Sequence, residues 1–311
     1  MIAFIAPGQG SQTPGMLAGR LRDPESADRI RVWSEAADLD LAHLGTRASP
    51  AEIDRTENTQ PLLVAVGLLA HDGVVDEATL SVGHSVGEIT AAVYAGVLEP
   101  TDAVRLAAIR GRAMADACDA APTSMVAVVG GEEAAVVRAI SERGLTAATF
   151  NGAGQIVAAG RTEDLRLLAA EPPPGSTVAP LKVAGAFHTH HMESARRRVA
   201  EAAAAMPFRR PRGVYLSNAD GESVLDPETI RRRLVDQVVR PVRWDLCLSA
   251  LARTAPETTV ALPPSRTLGN IVRRHFPELR VVPVNTSGDL RRVRARLNGA
   301  RPTEGATHAG L

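Results

Sequence analysis

The chain has 311 residues, of which 45% are apolar and 3% aromatic, and its 35 basic residues balance 35 acidic ones. The high apolar content and zero net charge exclude disorder over most of the chain, and the lack of a cationic excess argues against a nucleic-acid partner. No apolar run reaches the roughly 18 residues that a membrane helix needs, and two cysteines, Cys118 and Cys247, are too few for a disulfide framework.

The first predicted element is a buried strand over Ile2–Ala6, which ends at Pro7-Gly8. Because no basic leader precedes this apolar run, we predict that it is not a signal peptide and that the protein is cytoplasmic. Helices and strands then alternate, which is typical of an α/β fold with a mostly parallel sheet. The predicted elements of this first part are helices over Leu17–Ala37, Pro61–Asp72, Glu88–Val97 and Thr101–Ala117 and a strand over Thr79–His84.

A different order of elements begins near residue 124, where the pattern predicts the βαββαβ order of a ferredoxin-like unit. These elements are Ser124–Val129, Glu132–Arg143, Leu145–Phe150, Gln155–Ala159, Thr162–Glu171 and Thr177–Val183. Further elements follow at Glu193–Ala205, Gly213–Ser217, Thr259–Leu262, Thr267–His275 and Arg280–Val284. We therefore predict an α/β-hydrolase-like large domain with a parallel sheet over 1–122 and 189–298, an inserted ferredoxin-like small domain over 123–188, and a flexible tail over 299–311.

The sharpest local motif is Gly83-His84-Ser85-Val86-Gly87, a G-x-S-x-G sequence between a predicted strand and a predicted helix. A tight strand-to-helix turn exposes the serine hydroxyl, and glycine on either side allows the backbone to fold closely. The N-terminus of the helix that follows directs free N–H groups to the place where an oxyanion would form. A serine in a purely structural turn is the alternative, and the strand–turn–helix context favours a nucleophile at Ser85.

A serine nucleophile needs a base, and three histidines lie close together at His188, His190 and His191. Each alone is more often a surface or packed residue than a catalyst. His188 is the favoured base because it follows an apolar run into a turn. The spacing of the cluster matches no common zinc signature and no cysteine lies near, so we expect no metal site.

A second glycine-rich segment, Gly8-Gln9-Gly10-Ser11-Gln12, also follows a predicted strand. It does not match G-x-G-x-x-G, and it contains no phosphate-binding lysine, so we expect no nucleotide site. A turn of this kind still brings backbone N–H groups close to an anion.

Five separated motifs together resemble one family. They are Pro7-Gly8-Gln9-Gly10-Ser11-Gln12, Gly83-His84-Ser85-Val86-Gly87-Glu88, Ile109-Arg110-Gly111, Gly185-Ala186-Phe187-His188 and Gln237-Val238-Val239-Arg240-Pro241-Val242. In this order and spacing the chain resembles the malonyl-CoA:acyl carrier protein transacylases, which are discrete acyltransferases of fatty-acid and polyketide synthesis. The resemblance runs from Ile2 to about Asn285.

The resemblance implies a role for each matching residue. Ser85 would take the malonyl group from CoA as an ester, and His188 would be the general base and later the acid. The main-chain carbonyl of Gln237 would orient His188, in place of a carboxylate. The remaining implied roles are an oxyanion hole formed by the backbone N–H groups of Gln9 and Val86, and a bidentate pair between Arg110 and the malonyl carboxylate. Without the resemblance, a helix-surface ion pair would be the favoured interpretation of Arg110.

The resemblance also bears on acyl selection and on the competing functions. An Ala-Phe-His sequence accompanies malonyl selection in related domains, and Phe187 would crowd a methyl branch at the α-carbon.

The expected substrates are a coenzyme A thioester and an acyl carrier protein, with no cofactor, and we expect a monomer. The alternatives are a serine thioesterase on the same elbow and a non-catalytic carrier-protein binder. The presence of Arg110 favours the transferase.

Overall fold

The computed structural model describes residues 1–71 and 79–299. The strands are β1 (Ile2–Ala6), β2 (Thr79–Gly83), β3 (Thr123–Gly130), β4 (Thr146–Gly152), β5 (Gln155–Arg161), β6 (Ser176–Pro180), β7 (Val214–Leu216), β8 (Val242–Arg243), β9 (Thr258–Ala261) and β10 (Val281–Pro283). The helices of the first half are α1 (Pro24–Ala37), α2 (Leu41–Thr46), α3 (Pro50–Ile53), α4 (Thr56–Leu68), α5 (Gly87–Tyr94), α6 (Pro100–Cys118) and α7 (Glu133–Glu142). Those that follow are α8 (Thr162–Ala170), α9 (Glu193–Ala204), α10 (Pro227–Asp236), α11 (Trp244–Thr254), α12 (Arg266–His275) and α13 (Ser287–Gly299).

The described residues form two five-stranded sheets. The first has the order β10-β9-β1-β2-β7 and all of its strand pairs are parallel. Strands β1 and β2 lie at its centre, and both are almost wholly buried, as expected of parallel strands covered on both faces. The predicted α/β fold with a parallel sheet is confirmed.

The second sheet has the order β6-β3-β5-β4-β8. Its first four strands pair antiparallel, and they come from the βαββαβ segment that the sequence predicts. The fifth strand, β8, comes from a distant part of the chain and pairs in parallel with β4 through Thr149 and Phe150. The Arg243 guanidinium stacks 4.6 Å from the centroid of the Phe150 ring at the same place. The C-terminal half of the chain therefore extends the small sheet, a contact that the predicted division into domains does not include.

The start of helix α1 differs from the prediction. Helical patterning from Leu17 predicts one helix up to Ala37, but residues 15–22 form turns and α1 begins at Pro24. The Asp23 side chain accepts a hydrogen bond from the backbone N–H of Ser26, and Pro24 occupies the first helical position. An N-cap aspartate followed by proline is a strong helix start, and it explains the later beginning.

The large domain's core is organised around two helices. Helix α4 is buried along almost its whole length, although it carries the polar residues Asn58, Thr59 and Gln60, and it packs along α6. Helix α6 carries the buried Arg110, whose guanidinium contacts Gln60 of α4. In the described ranges, no helix is long and apolar enough to cross a membrane. The predicted flexible tail lies outside the described residues, apart from Gly299.

Candidate active site

Ser85 lies at a sharp turn between β2 and α5, with a backbone φ of 51°. A left-handed conformation is costly for a residue with a Cβ atom, and it persists where the surroundings enforce it. Close packing at the two flanking glycines holds Ser85 in this conformation. A Cβ atom at Gly83 would lie 2.1 Å from the carbonyl carbon of Gly87, and one at Gly87 would lie 2.3 Å from the carbonyl oxygen of Ala6. The turn is therefore closed to larger residues and presents the serine hydroxyl at the end of the central strands.

His188 contacts Ser85 directly. Its Nε2 atom lies 2.8 Å from Ser85 Oγ, and its Nδ1 atom lies 2.7 Å from the main-chain oxygen of Gln237. A carbonyl oxygen only accepts, so Nδ1 carries the proton and Nε2 is left to accept from the serine hydroxyl. The backbone φ of His188 is also positive, at 61°. Two consecutive hydrogen bonds therefore join the serine, the imidazole and the main-chain carbonyl for which these roles were predicted.

The imidazole of His188 is held in its neutral form. The side chain is 4% exposed. Burial, followed by the nearby charge of Arg110, lowers the pKa of His188 to about 3, and the Gln237 carbonyl opposes this shift. A neutral imidazole is the form that accepts a proton, so the site is ready for general-base chemistry at neutral pH.

Arg110 projects from α6 to the same point and is 2% exposed. Its Nη1 donates to Gln60 Oε1 at 2.6 Å, and its Nη2 donates to Gln237 Oε1 at 2.8 Å and to Ser85 Oγ at 3.3 Å. Burial lowers the pKa of Arg110 to about 10, and the charge of Glu88 opposes this shift. A guanidinium this far from water retains its charge at neutral pH and lies against the serine oxygen.

No role was predicted from the sequence for three side chains of this network: Gln60, Asn218 and Glu88, the last residue of the serine motif. Glu88 is fully buried, accepts from the backbone N–H of Asn218 at 2.7 Å, and also accepts from Gln237 Nε2. Asn218 Nδ2 in turn donates to the carbonyl oxygen of Gly83 at 3.0 Å. The polar stretch within the otherwise apolar α4 is the signal that could have found Gln60.

The two predicted oxyanion-hole residues differ in their surroundings. Gln9 lines the cavity beside Ser85, and its side chain donates to Thr56 Oγ1 at 3.2 Å. Val86 follows Ser85 at the N-cap of α5. Within the described part of the chain, neither backbone N–H has a protein acceptor. A Cβ atom at Gly8 would lie 2.6 Å from the carbonyl oxygen of His84, so the glycine-rich loop packs directly on the elbow.

A cavity of about 250 Å³ opens onto the serine and the histidine. Its walls come from the loops after β1 and β2, from the small sheet, from the segment between β6 and His188 and from α12. The apolar lining residues are Met125, Ala127, Val157, Leu181, Val183, Phe187, Leu268 and Ile271, and polar side chains such as Ser11, Thr149, Asn151 and Gln155 also line it. Phe187 is 6% exposed and precedes His188, so its ring borders the space next to the serine. The site is reached between the large parallel sheet and the small sheet.

The small sheet is also tied to the elbow. His84 Nε2 lies 2.9 Å from Asn151 Oδ1 at the end of β4, and its ring packs edge-on against Trp244 with centroids 5.5 Å apart. Two residues further along the same turn, the backbone N–H of Ala153 donates to His275 Nε2 at 2.9 Å. The turn of the β4–β5 hairpin is therefore held by His84 at the elbow and by His275 of α12.

His190 and His191 lie apart from this chemistry. Their rings contact each other with centroids 4.2 Å apart, in a short 3-10 helix after His188. The described ranges contain no group of three or more histidine, cysteine, aspartate or glutamate side chains that could hold a metal ion.

A serine at a strand-to-helix elbow, a neutral histidine held by a carbonyl, and a buried cation beside the serine oxygen define a serine-dependent acyl-transfer enzyme. Residues 3–304 match the family model described as the acyl transferase domain, and the chain belongs to this family. The chain is 48% identical over 299 residues to the malonyl CoA-acyl carrier protein transacylase of Mycobacterium tuberculosis, a match that covers 93% of this chain and 98% of that protein.

Solved structures show the same similarity. The crystal structure of MCAT from Mycobacterium tuberculosis superposes with a TM-score of 0.90 at 46% identity and covers 94% of this chain and 99% of that chain. A type II PKS acyl-carrier protein in complex with its malonyl-transacylase superposes with a TM-score of 0.85 at 27% identity and covers 95% of this chain and 99% of that chain.

The lowered pKa of His188 predicts the pH dependence of acylation. Since the imidazole stays neutral down to about pH 3, the rate at which Ser85 is acylated should stay level from about pH 8 to about pH 5. The measurement is quenched-flow acylation by an acyl-CoA across this range, and each sample is returned to the starting pH and reassayed to detect unfolding. A reversible loss of half the rate near pH 6.5, the ordinary pKa of histidine, would contradict the account.

Proposed function

We propose that this protein transfers the malonyl group of malonyl-CoA to the phosphopantetheine thiol of an acyl carrier protein, and so supplies extender units for fatty-acid or polyketide synthesis. The names of the relatives support this reaction, and one related structure holds an acyl carrier protein in complex with a malonyl-transacylase. The observation that carries the proposal is Arg110, a buried guanidinium 3.3 Å from the Ser85 hydroxyl. Such a group selects an acyl chain that ends in a second carboxylate.

In the first half-reaction, Ser85 Oγ attacks the thioester carbonyl while its proton passes to His188 Nε2, which lies 2.8 Å away. The resulting oxyanion accepts from the backbone N–H groups of Gln9 and Val86. Collapse of the tetrahedral intermediate breaks the carbon–sulfur bond, and the protonated imidazole returns its proton to the departing thiolate of CoA. The products are a malonyl-serine ester and free CoA.

In the second half-reaction, the phosphopantetheine thiol of the carrier protein enters the space that CoA has left. His188 Nε2 takes the thiol proton, the thiolate attacks the ester carbonyl, and the same two N–H groups stabilise the oxyanion. The proton then returns to Ser85 Oγ as the ester bond breaks. The cavity combines apolar walls with a few polar side chains, a lining that suits the uncharged, amide-bearing pantetheine arm of both thioesters.

Arg110 binds the free carboxylate of the malonyl group in this scheme. Its bonds to Gln60 and Gln237 are short and hold the guanidinium in place, while the 3.3 Å bond to Ser85 Oγ is the weak one. Replacement of this weak contact by a carboxylate is favourable, because the carboxylate brings an opposite charge and accepts from the guanidinium with both of its oxygens. The carbonyl of the substrate is then held over the serine.

Phe187 restricts the α-carbon of the acyl group. Its ring lines the cavity between Ser85 and the strands of the small sheet. A methyl branch on the acyl group would meet this ring, and one methyl group in a pocket discriminates by about 1–3 kcal/mol. The enzyme therefore prefers malonyl to methylmalonyl without excluding it completely.

The fold supports a finer description. We assign 1–122 and 189–298 to an α/β-hydrolase-like large domain, because its strands are parallel and the serine follows a central strand. We assign 123–188 to a ferredoxin-like small domain, because the strand order β6-β3-β5-β4 with antiparallel pairing is that of a βαββαβ unit. The monomeric state and the cytoplasmic location stay predictions from the sequence.

The direct test of the reaction is intact-mass spectrometry after the protein is mixed with malonyl-CoA. We expect a single malonyl adduct on the wild type and its loss when a cognate carrier protein is added. We expect no adduct on Ser85→Ala, because Ser85 is the hydroxyl that contacts the base His188. Ser11→Ala, a serine that also lines the cavity, is the matched control and should still be acylated. An adduct that persists in Ser85→Ala, or one that only hydrolyses when carrier protein is present, would show that the proposed transfer is wrong.

Substitution of Arg110 tests the selection of malonyl. We expect Arg110→Ala to lose malonyl transfer by roughly 30-fold or more, because a buried charge-assisted pair is worth about 2 kcal/mol or more. Acetyl transfer should fall much less, since acetyl-CoA has no second carboxylate. The kcat/KM values for malonyl-CoA and acetyl-CoA are compared in the same preparation. Equal losses for the two substrates contradict the assignment.

A further inference from the structure

The side-chain amide of Gln237 has one orientation in this network. Its Nε2 atom faces three acceptors: the main-chain oxygen of Ser85 at 3.1 Å, Asn218 Oδ1 at 3.3 Å, and a carboxylate oxygen of Glu88. Its Oε1 atom accepts from Arg110 Nη2 at 2.8 Å. The reversed amide would direct an oxygen at three acceptors and an NH₂ group at a cation. The hydrogen-bond network therefore determines which end of the amide meets Arg110.

Glu88 is the charged member of those three acceptors. It lies in the first turn of α5, three residues after Ser85, and it is fully buried. Both carboxylate oxygens accept hydrogen bonds from amide nitrogens, one from the backbone of Asn218 and one from Gln237. Burial raises the pKa of Glu88. The bonds from Asn218 and Gln237 oppose this shift, and so do hydrogen bonds with the side chains of Ser217 and Tyr215. A buried carboxyl group is costly unless its partners are in place, so its position calls for an explanation beyond packing.

We infer that Glu88 is a positioning residue for acyl transfer, which acts through the Gln237 side chain on both Arg110 and His188. The carboxylate accepts from the amide NH₂ group, and this forces the amide oxygen to face the guanidinium. The same residue, Gln237, supplies the main-chain carbonyl that receives the Nδ1 proton of His188. One anchored glutamine thus orients the substrate-binding cation and the catalytic base together. This inference rests on the proposed roles of Arg110 and His188.

The alternation of donors and acceptors explains why a carboxylate is needed. Two hydrogen bonds link these three side chains in series. The NH₂ group of Gln237 donates to the Glu88 carboxylate, and the amide oxygen of Gln237 accepts from Arg110. Glutamine at position 88 would be isosteric but would break this order. The Asn218 N–H requires an oxygen, so the new NH₂ group would face the Gln237 NH₂ group. Relief of that contact turns the Gln237 amide and directs its NH₂ group at Arg110.

The test is Glu88→Gln, assayed for malonyl-CoA and acetyl-CoA. We expect KM for malonyl-CoA to rise and kcat/KM to fall about tenfold or more, which is the effect of leaving one buried donor without an acceptor. The preference for malonyl over acetyl should narrow, because the guanidinium loses its orientation. A purely structural role lowers the fraction of active enzyme, and so kcat, but leaves KM and the acyl preference unchanged. The fraction of active enzyme is measured by intact-mass titration of the acylated serine. An unchanged KM and an unchanged preference for malonyl in Glu88→Gln would overturn the inference.

Ser81→Ala is the matched control. Ser81 Oγ is buried in β2 and donates to the carbonyl oxygen of Ala91 on α5 at 2.9 Å, so this variant loosens the same helix without altering the amide chain. We expect Ser81→Ala to keep the wild-type KM for malonyl-CoA and the wild-type preference for malonyl over acetyl. The variant Arg110→Ala in the same series separates the two hypotheses: if it leaves the preference unchanged, the proposed role of Arg110 fails. If only Glu88→Gln leaves it unchanged, the present inference fails.

Gln237→Met tests the same contacts if Glu88→Gln does not fold. It removes the side-chain amide of residue 237, while it retains the main-chain carbonyl and nearly the same side-chain length. We expect it to narrow the malonyl preference as Glu88→Gln does, and the double variant to be no worse than the poorer single variant, because both changes act on one chain of contacts. A wild-type preference in Gln237→Met, or fully additive losses in the double variant, contradicts the inference.

Discussion

The burial of a positive charge beside the nucleophile is the constraint on which the rest of the site depends. Arg110 is 2% exposed and has lost its water, so its N–H groups require protein acceptors with fixed directions. Gln60 from α4 and Gln237 from the segment after α10 supply them, and Glu88 offsets the charge from the elbow helix. Because these groups come from distant parts of the chain, the large domain has to be assembled before the cation can be held near Ser85.

The same charge sets the chemistry of the dyad. Burial and, after it, the charge of Arg110 lower the pKa of His188 and keep it neutral, and the Gln237 carbonyl fixes which nitrogen carries the proton. In the proposed mechanism, a carboxylate in place of that carbonyl would add its negative charge to that of Glu88 and would weaken the attraction of Arg110 for the malonyl carboxylate. A main-chain carbonyl orients the imidazole without adding a charge. In the proposed mechanism, an uncharged acceptor orients the base, and Arg110, with Glu88 as its buried counter-charge, binds the substrate carboxylate.

The sequence predicted those parts of the site that have a local pattern, and it missed those that depend on long-range contacts. Ser85 follows from a strand–glycine–helix motif whose geometry is local, whereas Glu88 reads in sequence like any glutamate in the first turn of a helix. Its burial becomes visible only when Asn218 and Gln237 are brought to it. Strand β8 has two residues and no alternating pattern, so its pairing with β4 could not be predicted. The beginning of α1 at Pro24 was a local signal that the apolar periodicity from Leu17 obscured.

The most direct test of the central claim is a crystal structure of the malonyl-serine intermediate, trapped with malonyl-CoA in the absence of carrier protein. We expect the malonyl carboxylate to form two hydrogen bonds with the Arg110 guanidinium, while the bonds from Arg110 to Gln60 and Gln237 persist. The carbonyl oxygen of the ester should lie near the N–H groups of Gln9 and Val86. A carboxylate that points into the cavity away from Arg110, with the guanidinium in unchanged contacts, would contradict the central claim.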